Sequence, residues 1–365
     1  MSKYYQPAKL LIGASMLDVL PEVLSGYGKR VLLVSTNDEP LQPLYDKIHG
    51  LLDGFDVVHF TGVVPNPTVE SVDACLPLAV DIDVIVAVGG GSSMDTAKAI
   101  NLKLHHPHDT WESLFERYDS FAAEYDTKFL PLVSIPTTSG TGSQVTQAAV
   151  LSMGVDKLTL YHTGLLSDVA ILDPNLTTTL PRRLTSATAF DTFTHAFESY
   201  LSDKSNALTR LDSLNAMQIV VNTLPKVLED PQNVTLREQL MVADTLGGRS
   251  LSNAGAHSPH PLSEIIGGLA NAMHGEALAS VYPAFIKIGN ARFEETFKSL
   301  SQTLFDQDDL YTAMVSFLKS IQLNISIKDL VKDEATFEAI RNHPVWGVLP
   351  FGDRDFFEAI LDEAY

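Results

Sequence analysis

The 365-residue chain is short of cysteine and of basic residues. Its one cysteine, Cys75, excludes a disulfide framework, and we interpret it as a small buried apolar side chain. Lysine and arginine together number 25 against 45 aspartates and glutamates, which gives a formal net charge of −20. Because binding to a phosphate backbone needs clustered cations, this charge argues against nucleic acid or an anionic membrane as a partner.

Long apolar runs are missing as well. No stretch of 18 apolar residues occurs, and the apolar patch at 10–20 is broken by Gly13, Ser15 and Asp18 with no signal-peptide cleavage site after it. We therefore expect no membrane span and a cytoplasmic location. The chain is too long for one ordinary core, which predicts two domains.

The first half of the chain alternates short β-branched runs with amphipathic segments. The runs at 31–35, 56–60, 84–88 and 130–135 predict strands, and the segments at 41–52 and 69–79 predict helices. Strand, helix and strand joined by short turns are typical of right-handed βαβ units in a parallel sheet.

From about Leu184 long helical patterns take over, after a seam between Asp173 and Pro181 that carries two prolines. These patterns cover residues 187–202, 207–224, 236–252, 292–304, 310–322 and 355–363. The sequence thus predicts an α/β domain over residues 1–183 and an all-α domain over 184–365.

A glycine-rich loop follows the third predicted strand, within VGGGSSMDTAKAI at 88–100. It matches neither a GxGxxG fingerprint nor a P-loop. Three glycines let a backbone approach a ligand, and a helix opening near Ser93 would aim free N–H groups at an anion such as pyrophosphate. A plain tight turn is the alternative. Asp95 would fall in the first helical turn, where spacing favours a capping role over a role toward a ligand.

A second polar turn, IPTTSGTGS at 135–143, follows the fourth predicted strand. Polar, glycine-bearing turns at the carboxyl ends of two parallel strands mark the crevice where such sheets bind ligands. A hydroxyl-rich surface loop would not explain its direct attachment to an apolar strand, so we favour ligand binding.

The second half carries a carboxylate and several histidines. Asp191 and His195 stand at i and i+4, on one face of a predicted helix. His257, His260 and His274 follow. One aspartate with three histidines suits Zn²⁺ or Fe²⁺, although a hydrogen-bonded Asp–His pair explains the first two residues equally well.

Taken in order, these stretches resemble the iron-containing (group III) alcohol dehydrogenases. The resemblance rests on the loop at 89–100, the turn at 135–143, DPNLT at 173–177, DTFTHAFE at 191–198, and His260 and His274 with 274 − 260 = 14 residues between them. The opening IGASMLDVLPEVL at 12–24 is similar too. The landmarks run from about residue 10 to 285.

The resemblance implies a Rossmann-like dinucleotide-binding domain (1–183) followed by a helical metal- and substrate-binding domain (184–365), a dehydroquinate synthase-like architecture. It implies hydride transfer between a nicotinamide cofactor and a small primary alcohol, diol or hydroxy acid, or the corresponding aldehyde. The implied ligands of Fe²⁺, with Zn²⁺ as an alternative, are Asp191, His195, His260 and His274. We also expect a homodimer.

The family's cofactor-side residues carry over to matching positions. Those positions are Thr36, Asn66, Gly90, Gly91, Ser92, Asp95, Thr137, Thr138, Thr141 and Lys157. On this basis Asp95 lies near the nicotinamide or the substrate instead of acting as a cap alone. His257 lies 274 − 257 = 17 residues before His274, a separation similar to that of the related glycerol dehydrogenases. His257 is therefore an alternative to His260 as a metal ligand, and the remaining motifs favour His260.

Four positions depart from the family pattern. Glu264 stands where many members have a second histidine near the substrate; it would orient a ligand histidine, carry the proton, or be an exposed helix residue. Gln144 replaces a glutamate, and Ala148 stands where some members have a cofactor-side asparagine. Thr36 occupies the slot where NAD-preferring members show aspartate, so NADP is not excluded, but the nearby Asp38 and Glu39, with no arginine in the turn, favour NAD.

Three other functions compete with this one. A metal-independent maleylacetate reductase-like enzyme would not need the complete ligand set, and a non-catalytic nucleotide-binding protein would have no use for it. A dehydroquinate synthase-like cyclase would need basic residues clustered around a substrate phosphate, and those between 185 and 290 are scattered.

Overall fold

The computed structural model describes residues 3–120, 125, 127, 129–154, 156–347 and 354–365. In this part of the chain, parallel strands form a sheet in the order β1-β8-β5-β4-β2-β3. The strands of the sheet are β1 (Lys9–Ile12), β2 (Arg30–Val34), β3 (Asp56–Phe60), β4 (Val84–Gly89), β5 (Leu132–Pro136) and β8 (Val169–Leu172). An antiparallel hairpin, β6 (Ala148–Met153) with β7 (Asp156–Tyr161), lies beside it.

Helices cover both faces of the sheet, which is why its central strands read as unbroken apolar runs. Leu32 and Ile85 face one buried core, and their neighbours Val31 and Val84 face the other. The helices of this half are α1 (Leu20–Ser25), α2 (Gln42–Leu51), α3 (Val69–Cys75), α4 (Gly91–His105) and α5 (Trp111–Arg117). Cys75 is buried, as predicted.

The second half is helical and has its own core. Its helices are α6 (Arg182–Leu201), α7 (Ala207–Glu229), α8 (Val234–Ala254), α9 (Pro259–Ala270), α10 (His274–Phe305), α11 (Leu310–Ser320), α12 (Ile327–Leu330), α13 (Glu334–Arg341) and α14 (Arg354–Ala364). Aromatic side chains of α6 and α10, among them Phe193 and Tyr282, are fully buried in this core.

The predicted order, a parallel α/β half followed by a helical half, is confirmed. The four predicted strands lie within two residues of their expected bounds, whereas β1, β6, β7 and β8 were missed because they are short or partly exposed. The helix predicted at 292–304 is confirmed, and it is the second part of α10, which follows a kink where Phe293 departs from helical geometry. The first part of α10, which begins at His274 and contains Pro283, was not predicted. Within the described ranges, no helix is long and apolar enough to cross a membrane.

Helices α6 and α10 meet closely near their first turns. A Cβ atom on Gly275 would lie 2.1 Å from the Ala187 carbonyl oxygen, so the two backbones are almost in contact. Arg183 of α6 also holds the buried Glu276 of α10 through two hydrogen bonds, Nε to Oε1 at 2.5 Å and Nη2 to Oε2 at 2.7 Å. The register of these two helices is therefore fixed where each begins.

Gly275→Ala tests this close approach. The added methyl group overlaps backbone, so α10 must shift away from α6, and we expect the free energy of unfolding to fall by about 1–3 kcal/mol. The matched control is Gly268→Ala in α9, where an added Cβ meets nothing within 4 Å. We expect that change to be neutral or stabilising, since alanine favours helix. Equal stabilities of the two variants in denaturant titrations would contradict the contact.

Candidate metal centre and cofactor cleft

Four predicted side chains converge on one point in the helical half. Nε2 of His195, His260 and His274 lies 3.6, 3.5 and 3.5 Å, respectively, from Oδ1 of Asp191. Asp191 and His195 project from one face of α6, His260 stands in the first turn of α9, and His274 begins α10. Three separate helices thus supply this cluster, in which Asp191, His195 and His260 are buried.

The outward-facing nitrogens of the three imidazoles also have neighbours. Nδ1 of His195 is 3.3 Å from the Gly140 carbonyl oxygen, Nδ1 of His260 is 2.8 Å from Glu198 Oε1, and Nδ1 of His274 is 3.4 Å from Ser263 Oγ. Such outer contacts orient metal-binding histidines and select the tautomer whose Nε2 is free to bind.

The cluster fits a divalent cation. Asp191 Oδ1 and His260 Nε2 are buried without a hydrogen-bond partner among the described residues, a costly state unless something binds between them. Ligands about 2.1 Å from a tetrahedral ion stand about 3.4 Å from each other, close to the separations found here. His274 is 32% exposed against 8% for His195 and His260, so the cluster opens to the cleft on that side.

The charges in the cluster are strongly coupled. Burial would raise the pKa of Asp191, but the neighbouring histidines hold it well below its usual range. Burial lowers the pKa of His195 to about 4, although Asp191 opposes the change. For His260 burial acts in the same direction, yet Glu198 and Asp191 raise its pKa to about 10. An imidazole binds a metal only in its neutral form, so a cation has to displace the proton that these carboxylates favour on His260.

His257 lies outside the cluster. It is buried against Phe285 and Phe293, and its backbone N–H donates to Glu198 Oε2 at 2.8 Å. Glu198, which was not among the predicted site residues, is fully buried, and its two oxygens contact His260 and the backbone of His257. Its spacing from Asp191 and His195 (191, 195, 198) places it on their helix face, which is a signal that the sequence does contain.

The two polar turns meet at the carboxyl ends of the adjacent strands β4 and β5. The Thr137 N–H donates to the Gly89 carbonyl oxygen at 3.0 Å. A Cβ atom on Gly90 would lie 3.3 Å from Thr138 Oγ1, and one on Gly91 would lie 2.6 Å from Thr141 Cγ2. Helix α4 begins at Gly91, two residues before the predicted Ser93, so Ser92 stands in its first turn. The helix start and the hydroxyl-bearing turn form one crevice suited to an anion.

The remaining cofactor-side residues flank this crevice. Thr36 follows β2, which pairs with β4, and its hydroxyl donates to Asp38 Oδ2 at 2.8 Å. Asn66 and Lys157, far apart in sequence, meet through a hydrogen bond of 2.9 Å from Lys157 Nζ to Asn66 Oδ1. Glu264, one helical turn after His260, acts electrostatically on Lys157 and on Tyr161, where burial and then Glu264 raise the pKa to about 12. Glu264 therefore lies on a helix, α9, that packs against β7 of the hairpin.

Asp95 does not cap its helix, because α4 has no acidic residue in its first turn. Its carboxylate instead accepts the Ser143 hydroxyl at 2.6 Å and the Val150 N–H at 3.0 Å. The expectation of a place in the first turn is wrong, since the helix begins earlier than the glycine spacing suggested. Burial raises the pKa of Asp95, while Lys98 and these hydrogen bonds oppose the rise.

Lys98 is fully buried beneath the same turn. Its Nζ donates to the Ser143 carbonyl oxygen at 2.7 Å, to that of Ala148 at 2.8 Å and to that of Thr146 at 2.9 Å. Burial lowers the pKa of Lys98 to about 8, with Asp95 acting in the opposite direction. One ammonium group thus holds the end of the second polar turn and the start of the hairpin on α4.

Lys98→Met should destabilise the protein severely. The change leaves buried carbonyl oxygens without a donor and Asp95 without its nearest cation, so we expect a loss of about 3–5 kcal/mol in the free energy of unfolding. Lys47→Met is the control, because Lys47 is half-exposed and pairs at 2.8 Å with Asp18 on the surface. That change should cost less than about 1 kcal/mol. A similarly small loss of stability for Lys98→Met in guanidinium titrations would contradict the conclusion that Lys98 holds the turn and the hairpin on α4.

Comparisons with known proteins agree with this arrangement. Residues 7–174 match the family model "Iron-containing alcohol dehydrogenase", and residues 185–348 match "Fe-containing alcohol dehydrogenase family, C-terminal". The chain is 33% identical over 292 residues to long-chain-alcohol dehydrogenase 1 of Geobacillus thermodenitrificans (strain NG80-2), covering 74% of this chain and 69% of that protein. It is 30% identical over 361 residues to 1,3-propanediol dehydrogenase of Citrobacter freundii, covering 93% and 90%.

Solved structures show the same likeness. The crystal structure of a 1,3-propanediol oxidoreductase has a TM-score of 0.91 to this chain, at 26% identity and with 100% of both chains covered. The resemblance found in the ordered motifs is thereby confirmed. The chain belongs to the iron-containing alcohol dehydrogenase family and is a metal-dependent alcohol oxidoreductase.

Proposed function

We propose that the protein transfers hydride reversibly between NAD and a small alcohol, with Fe²⁺ held by Asp191, His195, His260 and His274. Zn²⁺ suits the same ligands. Residues 1–183 would hold the cofactor, and residues 184–365 would hold the metal and shape the substrate pocket. The names of the relatives, which include a propanediol dehydrogenase and an NADH-dependent butanol dehydrogenase, support short alcohols and diols as substrates. The homodimer and the cytoplasmic location stay predictions.

The convergence of three imidazoles on one buried carboxylate oxygen carries this proposal. Each Nε2 lies 3.5–3.6 Å from Asp191 Oδ1, each Nδ1 has an outer neighbour, and the cluster opens on the side of His274. A metal-independent reductase would not require this arrangement. When bound, the metal would act as a Lewis acid that polarises the substrate oxygen.

The chain's own residues would supply binding, orientation and proton transfer. Gly90, Gly91 and Ser92 would hold the pyrophosphate at the start of α4, with Thr137, Thr138 and Thr141 opposite. Lys157 of the hairpin, which is hydrogen-bonded to Asn66, would contact the cofactor. Holding the nicotinamide and the substrate in one cleft brings the reacting atoms within range and keeps water out.

Two carboxylates of the cleft receive different roles. Asp95 remains a predicted residue of the nicotinamide side. Its carboxylate already accepts hydrogen bonds from Ser143 and Val150, so we assign it to positioning the second polar turn. Glu264 makes no such hydrogen bond among the described residues and stands one turn after His260, so we assign it to carrying the substrate proton.

The preference for NAD rests on Asp38. Thr36 occupies the slot where an aspartate is expected, but its hydroxyl donates to Asp38 Oδ2 at 2.8 Å and so holds a carboxylate at the end of β2. A carboxylate there accepts hydrogen bonds from a ribose and repels a 2′-phosphate. Asp38, two residues after Thr36, would thus be the residue that discriminates NAD from NADP.

The choice of His260 over His257 is tested by one pair of variants. His260→Ala removes a ligand, so we expect bound iron to fall to a small fraction and hydride transfer to drop about 10³-fold or more. His257→Asn should keep both iron and most of the activity, because that ring lies outside the cluster. Iron content after anaerobic loading and NADH oxidation with butanal measure the two effects. The opposite pattern would reverse the assignment.

The coenzyme preference is tested at Asp38. Asp38→Asn removes the charge that repels a 2′-phosphate, so kcat/KM for NADPH relative to NADH should rise about 10–100-fold. Glu39→Gln is the control, since Glu39 is the neighbouring exposed carboxylate and is not hydrogen-bonded to Thr36. An equal rise in the control, or none in Asp38→Asn, would count against the role of Asp38.

A further inference from the structure

A buried carboxylate lies between the second polar turn and α6, the helix that carries Asp191 and His195. We expect neither the metal nor the cofactor to touch it. Asp244 projects from α8 and is 2% exposed. Its Oδ1 accepts the Gly142 N–H at 2.8 Å, and its Oδ2 accepts Gln144 Nε2, also at 2.8 Å. One side chain of the helical half therefore holds two residues of the turn that follows β5.

The same carboxylate reaches α6 through Thr192, the residue after Asp191. The Thr192 hydroxyl lies 3.4 Å from Asp244 Oδ1 and 3.3 Å from the Gly140 carbonyl oxygen, and it can donate to either. That carbonyl oxygen is the outer neighbour of His195 Nδ1, at 3.3 Å. A continuous polar network thus runs from Gln144 and Gly142 through Asp244 and Thr192 to Gly140 and a predicted metal ligand.

Packing leaves this network little freedom. A Cβ atom on Gly248 of α8 would lie 2.7 Å from the Gly142 Cα, so the turn and the helix are in backbone contact. None of the ion pairs within 4.0 Å among the described residues includes Asp244. Burial raises its pKa to about 7, against the hydrogen bonds from Gln144 and Gly142. A buried carboxylate without a cation is costly, which favours a specific role for these hydrogen bonds.

The network joins two predicted binding sites. The turn that Asp244 holds also carries Thr138 and Thr141, which face the glycine loop, and its Gly140 carbonyl orients His195. A cation that fixes His195 should fix Gly140 and, with it, the turn that receives the dinucleotide. Thermodynamic linkage requires the converse to hold by the same factor.

We propose that Asp244 is a positioning residue that couples the two sites, so that metal and NAD bind with positive cooperativity. This inference rests on the proposed function. Couplings of this kind are typically about 5–150-fold in affinity. We therefore expect saturating NAD⁺ to tighten metal binding by a factor in this range, and a saturating metal to tighten NAD⁺ binding equally.

Asp244→Asn tests the coupling in the full-length protein. Asparagine offers one acceptor and one donor, so it cannot accept from both the Gly142 N–H and Gln144 Nε2, and the Gln144 amide must turn over or lose this partner. We expect the coupling factor to fall to near 1, with a smaller change in metal affinity when NAD⁺ is absent. The probe is Zn²⁺, titrated against a chromophoric chelator with and without NAD⁺, and NAD⁺ is titrated in turn with and without Zn²⁺.

The double variant Asp244→Asn with Gln144→Glu is the rescue. It exchanges the amide and the carboxylate between the two positions, so the asparagine donates to the new glutamate and the network closes again. We expect most of the wild-type coupling to return. Gln144→Ala, which removes one hydrogen bond without adding a donor, measures the same coupling if Asp244→Asn does not fold.

Three results would overturn the inference. They are a wild-type protein that binds both ligands without cooperativity, an Asp244→Asn variant with unchanged coupling, and a double variant that stays uncoupled. The last result would indicate a structural role alone. A wild-type protein that binds neither Zn²⁺ nor NAD⁺ would instead refute the proposed function, so the two failures are distinguishable.

Discussion

The convergence of three imidazole nitrogens on Oδ1 of Asp191 is the constraint that fixes how three helices of the helical half meet. To bring His195, His260 and His274 to one oxygen atom, α6, α9 and α10 must meet with fixed register. The near contact of Gly275 with Ala187 and the bidentate pair of Arg183 with Glu276 secure that register where α6 and α10 begin. The packing of these helices therefore determines the geometry of the cluster.

Buried polar groups of both halves of the chain hold the same segment in place. Lys98 and Asp95 fasten the turn after β5 to α4, and Asp244 fastens the same turn to α8. Each group is expensive to bury alone, but each is satisfied by hydrogen bonds with residues between Gly142 and Val150. Directional contacts thus hold this segment between α4 and α8.

Much of this could be predicted from local pattern, and the rest depended on contacts distant in sequence. The strands at 56–60 and 84–88 are marked by β-branched runs, and the i, i+4 spacing of Asp191 and His195 places them on one helix face. Spacing could not separate His257 from His260, because that choice depends on where α9 begins after a turn. The start of α4 at Gly91 and the course of α10 through Pro283 were missed for a similar reason, since packing decides both.

The face of α6 that carries Asp191, His195 and Glu198 has one more consequence. A single inserted residue between positions 191 and 198 would rotate everything after it by about 100° around the helix axis. Glu198 would then leave His260, and no adjustment of side-chain rotamers could restore both contacts. We therefore expect insertions and deletions to be tolerated in the surface loops of this protein but not in this two-turn segment.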